Sequence, residues 1–356
     1  MAQASLARLG RRAAIWVMLL FLAAGLAGPA GAQVTRLTVY TALENDQLGY
    51  YKSTFEAANP GVVVDWVRDS TGVITARILA ERENPRADVI WGLAVTSLLI
   101  FDDLNMLQPY TPRGAEQLKA QFRDNRSPMH WTGMDAFLSV ICYNTVEAKR
   151  RGLRAPFSWQ DLLSPAYKGR IVMPNPSSSG TGYLTIAAWL QMLGEEKGWA
   201  YMDKLHENIG TYLHSGSAPC VRAAQGEFAI GIGFDARGAL LKQQGAPIEV
   251  IIPKEGAGWD MEATAIVRGT RNLAAAQRLA DWSVGRQANE MYNGIGGPDR
   301  TAYAIVALPG LTNVPPFYPP NAEKAMYKND FAWMAKNRAR ILQEWSRRYD
   351  TKSAPR

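Results

Sequence analysis

The chain is poor in the residues that hold metals. Its 356 residues include three histidines, His130, His206 and His214, and two cysteines, Cys142 and Cys220. The histidines are widely separated and no Cys/His cluster occurs, so a metal centre has no support. Nucleotide hydrolysis lacks its loop, because no GK[ST] follows the Ser/Gly-rich segment. Acyl transfer lacks G-x-S-x-G, and no Ser/His/Asp set is suggested by spacing. Carboxylate pairs are present without a cleft signature to select one. There is no basic block either: the formal net charge of +7 is dispersed, and three of its arginines lie near the N-terminus. That pattern serves solubility and supplies no concentrated face for nucleic acid. The expectation is a protein that is not an enzyme, holds no cofactor or metal and binds no nucleic acid.

What the N-terminus does have is a basic stretch (Arg8, Arg11, Arg12), an apolar run from Ala13 to about Ala27, and small residues at Ala30-Gly31-Ala32. These predict a cleaved secretory leader over residues 1–32 and an exported mature chain beginning near Gln33. The apolar run of roughly 15 residues falls short of the ~20 that a membrane anchor needs. Arg11-Arg12 lacks the flanking pattern of a twin-arginine signal, so the export route stays open. An oxidising compartment permits Cys142 and Cys220 to pair, but two buried thiols fit the sequence equally.

From Gln33 onward the length suits roughly two domains. Short β-rich runs alternate with amphipathic ones, which predicts an α/β chain with largely parallel sheets. VTRLTVYTA, VVVDWV and ADVIWG are strands, each followed by a turn and a helix. AFLSVICYNT is a strong strand at which the chain first crosses to a second lobe. RIVMPNP, FAIGIGF and IEVIIP are strands of that lobe, and ATAIV marks the return. Two helices follow over 272–292, and DFAWMAKNRARILQEWSRRYD forms a C-terminal amphipathic helix. In such folds ligands sit beyond the carboxyl ends of the strands, which directs attention to the loops Thr41 to Asp46, Asp69 to Gly72 and Trp91 to Ser97.

SSSGTGY is the most informative loop. Between a strand and a helix, Ser177, Ser178, Ser179, Gly180 and Thr181 present hydroxyls and free amides at the positive end of a helix dipole, an arrangement suited to an oxyanion. Gly180 and Gly182 allow close backbone approach. A plain helix cap is the alternative. DSTG (Asp69 to Gly72) and HSGS (His214 to Ser217) are shorter clusters of the same kind. Glu44, Asp69 and Asp235 lie in neighbouring loops, where they either meet a ligand's amine or cap helices. Trp91, Tyr183 and Phe234 either wall a pocket and pack on an ammonium group or belong to the core.

Together YTALENDQ, WVRDSTG, ADVIWGLA, SWQDL, MPNPSSSGTGY, GWAYMDKLHENI, HSGSAPC and PKEGAGWDMEATAIV resemble the solute-binding proteins of 2-aminoethylphosphonate ABC importers. These belong to the type II periplasmic binding proteins, alongside ferric-iron and polyamine binders. The resemblance implies a two-lobed type II periplasmic binding protein fold, with hinge-linked lobes and an interlobe ligand cleft. Lobe 1 would span 33–140 plus about 264–305, and lobe 2 141–263 plus about 306–356. It further implies a monomer that delivers a phosphonate to an inner-membrane permease powered by a separate ATPase. Carried onto this chain, Ser178, Ser179, Gly180, Thr181 and Gly182 hold the phosphonate, assisted by Ser70, Thr71, Ser215 and Ser217, with Thr41 in the first loop. Glu44 and Asp235 are candidates for the amine, and Trp91 and Tyr183 for the walls. The iron binders' tyrosine pair is replaced by Phe234 and Arg237, which argues against iron; Arg237 pairs with the phosphonate or with Asp235. A polyamine, phosphate ester or ferric complex is the alternative ligand.

Overall fold

Each β-rich run of the sequence forms a strand, and the amphipathic runs between them form helices. The computed structural model describes residues 34–297 and 299–355; the leader expected over 1–32 lies outside the described residues. Strands β1 (Thr35–Thr41), β2 (Val62–Arg68) and β3 (Val89–Ala94) are each followed by a helix: α1 (Asn45–Ala58), α2 (Thr71–Ala80) and α3 (Val95–Asp103). Then come β4 (Thr132–Asn144), α4 (Thr145–Arg150), β5 (Ile171–Pro174), α5 (Gly180–Leu193), α6 (Glu195–Asn208), β6 (Ile209–Leu213) and α7 (Ala218–Ala224). The chain continues through β7 (Ile230–Phe234), α8 (Asp235–Gln243), β8 (Ile248–Ile251), β9 (Trp259–Ile266), α9 (Leu273–Val284), α10 (Arg286–Tyr292), α11 (Ala322–Ala325) and α12 (Phe331–Tyr349).

Local chemistry explains the boundaries. In α1 the buried face is Gln47, Tyr51 and Phe55, spaced by four, and the helix ends before Asn59-Pro60-Gly61, where Gly61 takes φ +84°. Helix α12 is opened by the Asp330 side chain, which accepts from the Trp333 amide, and it packs against both α3 and α5. No helix among the described residues is long and apolar enough to cross a membrane.

The strand order is β2-β1-β3-β9-β4-β7-β5-β6, with β8 also on β4. Strand β4 is the pivot. Thr132 to Leu138 pair with β9, whereas Ser139 to Asn144 pair with β7 and β8. One continuous strand thus belongs to two sections of sheet, and β9 returns the chain to the first. Parallel pairing holds for β1 with β3 and for β5 with β6 and β7, but every contact of β4 and β9 is antiparallel. The largely parallel expectation fails there: β4 and β9, which join the two sections, run against every neighbour they pair with. Strands β3, β4 and β9 are buried along their full length, as strands covered on both faces are.

Cys142 on β4 and Cys220 on α7 form a disulfide with Cα atoms 5.3 Å apart. The glycines of β7 make room for it: a Cβ on Gly231 would lie 2.2 Å from the Pro219 carbonyl oxygen, and one on Gly233 2.5 Å from the Cys220 sulfur.

Candidate functional site

Two strand-to-helix turns meet at the junction of the sheet sections. Strand β2 ends in Asp69-Ser70-Thr71-Gly72, where Ser70 is the N-cap of α2; β5 leads to Ser179, the N-cap of α5, whose Oγ accepts from the Gly182 amide at 3.2 Å. The two turns touch through backbone. Gly72 N donates to the Ser178 carbonyl at 2.8 Å. A Cβ on Gly72 would lie 2.1 Å from the Ser177 oxygen, and one on Gly180 2.6 Å from Thr71 Oγ1. Glycine is required on both sides for two helix N-termini to approach this closely. The amides of Thr71, Gly180 and Thr181 have no acceptor among the described residues. Their free N–H groups and two helix dipoles converge on one place, which favours an anion.

That place is a cavity of about 430 Å³, partly open to solvent. Ala42, Glu44, Arg68, Ser70 and Thr71 line it on one side, and Ser179, Gly180, Thr181, Ser215 and Gly216 on the other. Phe137, Phe234, Glu262 and Tyr303 complete the wall. Arg68 is fixed by its Nε, which donates to the Leu43 carbonyl at 2.9 Å.

Side-chain bonds also cross between the two groups of loops. Arg237 Nη2 on α8 donates to Glu44 Oε2 at 2.8 Å and to Asp46 Oδ1 at 2.9 Å, and the His214 ring lies 3.1 Å from Asp69 Oδ1. At the wall of the cavity and behind it lies a group of buried acids. Burial, with Glu44 adding to it, pushes the Glu262 carboxyl up to about 8. Burial likewise raises Asp235 and Asp260 to about 6 each, and Asp135, the cross-strand partner of Glu262, well above the carboxylate range. Removing a carboxylate from water disfavours its charged form.

Of the residues expected at the site, Glu44, Ser70, Thr71, Ser179, Gly180, Thr181 and Ser215 line the cavity. Ser178, Gly182, Ser217, Thr41 and Arg237 support it from behind. Ser178 Oγ donates to the His214 carbonyl at 2.7 Å, Ser217 Oγ lies 3.3 Å from Ser215 Oγ, and Thr41 Oγ1 accepts from the Leu43 amide at 3.0 Å. Gly182 packs on the chain at Pro174 to Pro176, where a Cβ would not fit. Arg237 pairs with Glu44 and Asp46 rather than with Asp235.

Three expected residues lie elsewhere. Trp91 is fully buried, stacked on Tyr51 at 5.8 Å between ring centroids, with Nε1 donating to the Tyr292 hydroxyl at 3.1 Å. Tyr183 is in the core, its hydroxyl donating to the Met334 carbonyl and its ring under the Arg338 guanidinium. Large aromatic area is worth most when buried, and each ring finds its polar partner inside. Asp235 turns inward, accepting from the Leu138 and Ala236 amides and from the Tyr318 hydroxyl. Gly216 lies within the HSGS cluster, whereas Arg68, Phe137, Glu262 and Tyr303 are not among the expected residues. Arg68 had a signal in its place beside DSTG; Glu262 is an acid in an apolar strand, a pattern whose facing only tertiary pairing decides.

Residues 84–334 match the family model described as bacterial extracellular solute-binding protein. An uncharacterised protein of Haemophilus influenzae is 30% identical over 274 residues, covering 76% of this chain and 79% of that one. The solved periplasmic binding protein AfuA from Actinobacillus pleuropneumoniae, with fructose-6-phosphate bound, aligns with a TM-score of 0.80 and 30% identity, covering 89% of this chain and 99% of that one. A putative 2-aminoethylphosphonate-binding periplasmic protein of Salmonella typhimurium is 28% identical over 194 residues, which span about half of either chain (51% and 52%). The architecture is therefore the two-lobed type II periplasmic binding fold.

Proposed function

This chain belongs to the bacterial extracellular solute-binding proteins, and from that premise we propose that it captures 2-aminoethylphosphonate or a related phosphonate between its lobes. It presents the ligand to an ABC permease driven by a separate ATPase and does not transform it. The observation that carries this reading is the pair of facing helix N-termini at Thr71 and Gly180, with three free amides. A phosphonate offers three oxygens to those amides and to the hydroxyls of Ser70, Thr71 and Thr181, while Arg68 opposes its charge. A polyamine has no use for such donors. The lobes would hinge where β4 changes partners, between Leu138 and Ser139.

A sugar phosphate is the second reading, favoured by the fructose-6-phosphate bound to AfuA, a protein 30% identical over most of this chain. Titration calorimetry of the ligand-stripped protein separates the two. Micromolar or tighter binding of 2-aminoethylphosphonate, with fructose-6-phosphate, phosphate and putrescine much weaker, is the expected result. Tighter fructose-6-phosphate binding selects the second reading, and heat from putrescine alone defeats both.

A further inference from the structure

We infer that Glu262 is the residue that receives the ligand's cationic end, so that the solute is a zwitterion with its oxyanion on the helix termini and a protonated amine on Glu262. The inference rests on the phosphonate reading of the same cavity and names what that reading leaves open, the group opposite the anion.

The other carboxylates near the cavity are either engaged or set back from it. Glu44 is held by Arg237. Asp235 accepts two amides and the Tyr318 hydroxyl, and Asp260 accepts from Thr96 Oγ1 at 2.7 Å and from the Met261 amide at 2.8 Å. Neither oxygen of Asp135 has a partner, but the residue is fully buried and does not line the cavity.

Glu262 differs from all of these. It is 8% exposed, it lines the cavity, its Oε1 receives only the Tyr303 hydroxyl at 3.3 Å, and its Oε2 has no partner. The side chain lies among other lining groups, since Tyr303 bonds to it and the charges of Glu44 and Arg68 act on it. Arg68 forms no ion pair with it, being tethered through Nε to Leu43. A buried carboxyl whose Oε2 has no partner is an unmet demand, and an ammonium group supplies both the opposite charge that lets it ionise and the N–H bonds. A neutral hydroxyl supplies one bond and no charge.

Calorimetry with 2-aminoethylphosphonate and 2-hydroxyethylphosphonate, on the wild type and on Glu262→Gln, tests the assignment. The wild type is expected to prefer the amine by about 30-fold, the range of hydrogen bonds to a charged group. Glu262→Gln should lose most of that preference, weakening the amine far more than the hydroxyl analogue, and a thermal melt establishes that it is folded. Glu262→Asp, which keeps the charge, should retain part of the preference and guards against a purely structural effect. Undiminished preference in Glu262→Gln, or equal binding of both compounds by the wild type, overturns the assignment alone. Failure of the wild type to bind either compound overturns the phosphonate reading and the assignment with it.

Discussion

The Gly72 amide donates to the Ser178 carbonyl at 2.8 Å, so a main-chain hydrogen bond ties the start of α2 to the loop ahead of α5. No side chain fits at Gly72, where a Cβ would stand 2.1 Å from the Ser177 oxygen. Gly72→Ala is therefore expected to fold normally but to resist closure. If closure becomes about a hundred times rarer, apparent affinity falls by the same factor. Calorimetry measures the loss, and small-angle scattering with saturating ligand should show a more extended particle than the wild type.

Ser179 and Thr181 separate capping from binding. Ser179→Ala removes the acceptor of the Gly182 amide and should cost about 1 kcal/mol of stability in addition to affinity. Thr181→Ala removes a cavity hydroxyl and a γ-methyl, neither of which caps the helix, and its cost should fall mainly on affinity, about 1 to 3 kcal/mol. Paired denaturation and calorimetry resolve the two; a stable, tight-binding Ser179→Ala would move the anion seat elsewhere.

The buried acids give the ligand-free protein a definite pH dependence. A carboxyl raised in the fold contributes stability that is complete below its ordinary value, 4.5 for glutamate, and is lost as pH rises through its folded value, about 8 for Glu262. Asp235 and Asp260, at about 6, add to the lower part of that window. The groups facing Glu262 are Glu44, Asp135, Asp260 and Tyr303, with Arg68 as the opposing charge. Between pH 5 and 8.5 the melting temperature should fall by several degrees, and Glu262→Gln should flatten the upper half of the fall. Binding of an amine near neutral pH should also release protons, detectable as buffer-dependent heat.

Much of this was legible in the sequence, for physical reasons that differ from residue to residue. The strands and the loops at Ser70 and Ser179 follow from local rules, apolar period and helix capping, and the fold brings those loops together around one cavity. Asp235 departs from the expectation because a residue just after a strand can turn either way, and here the Leu138 amide draws it inward. Trp91 and Tyr183 lie near the right loops, yet the gain from burying a ring outweighs lining a polar cavity. Glu262 and Tyr303 meet only through the long-range pairing of β9 with β4 and the return of the later chain, which no local pattern records.

Reduction provides another check. The Cys142–Cys220 bridge closes a loop with a sequence separation of 78 residues. Loop entropy puts its contribution at about 4 kcal/mol. Cys142→Ser with Cys220→Ser should lower the denaturant midpoint accordingly while leaving the cavity, which neither residue lines, able to bind.

The shared strand β4 also sets the order in which the molecule can assemble. Its first half needs β9 beside it, and β9 begins only at Trp259. Neither half of the sheet is complete until most of the chain is available, so folding is dominated by distant pairings and should be slow. A chain that folds late leaves the apolar strands β3, β4 and β9 uncovered for a long interval, and that interval is when it is most open to aggregation.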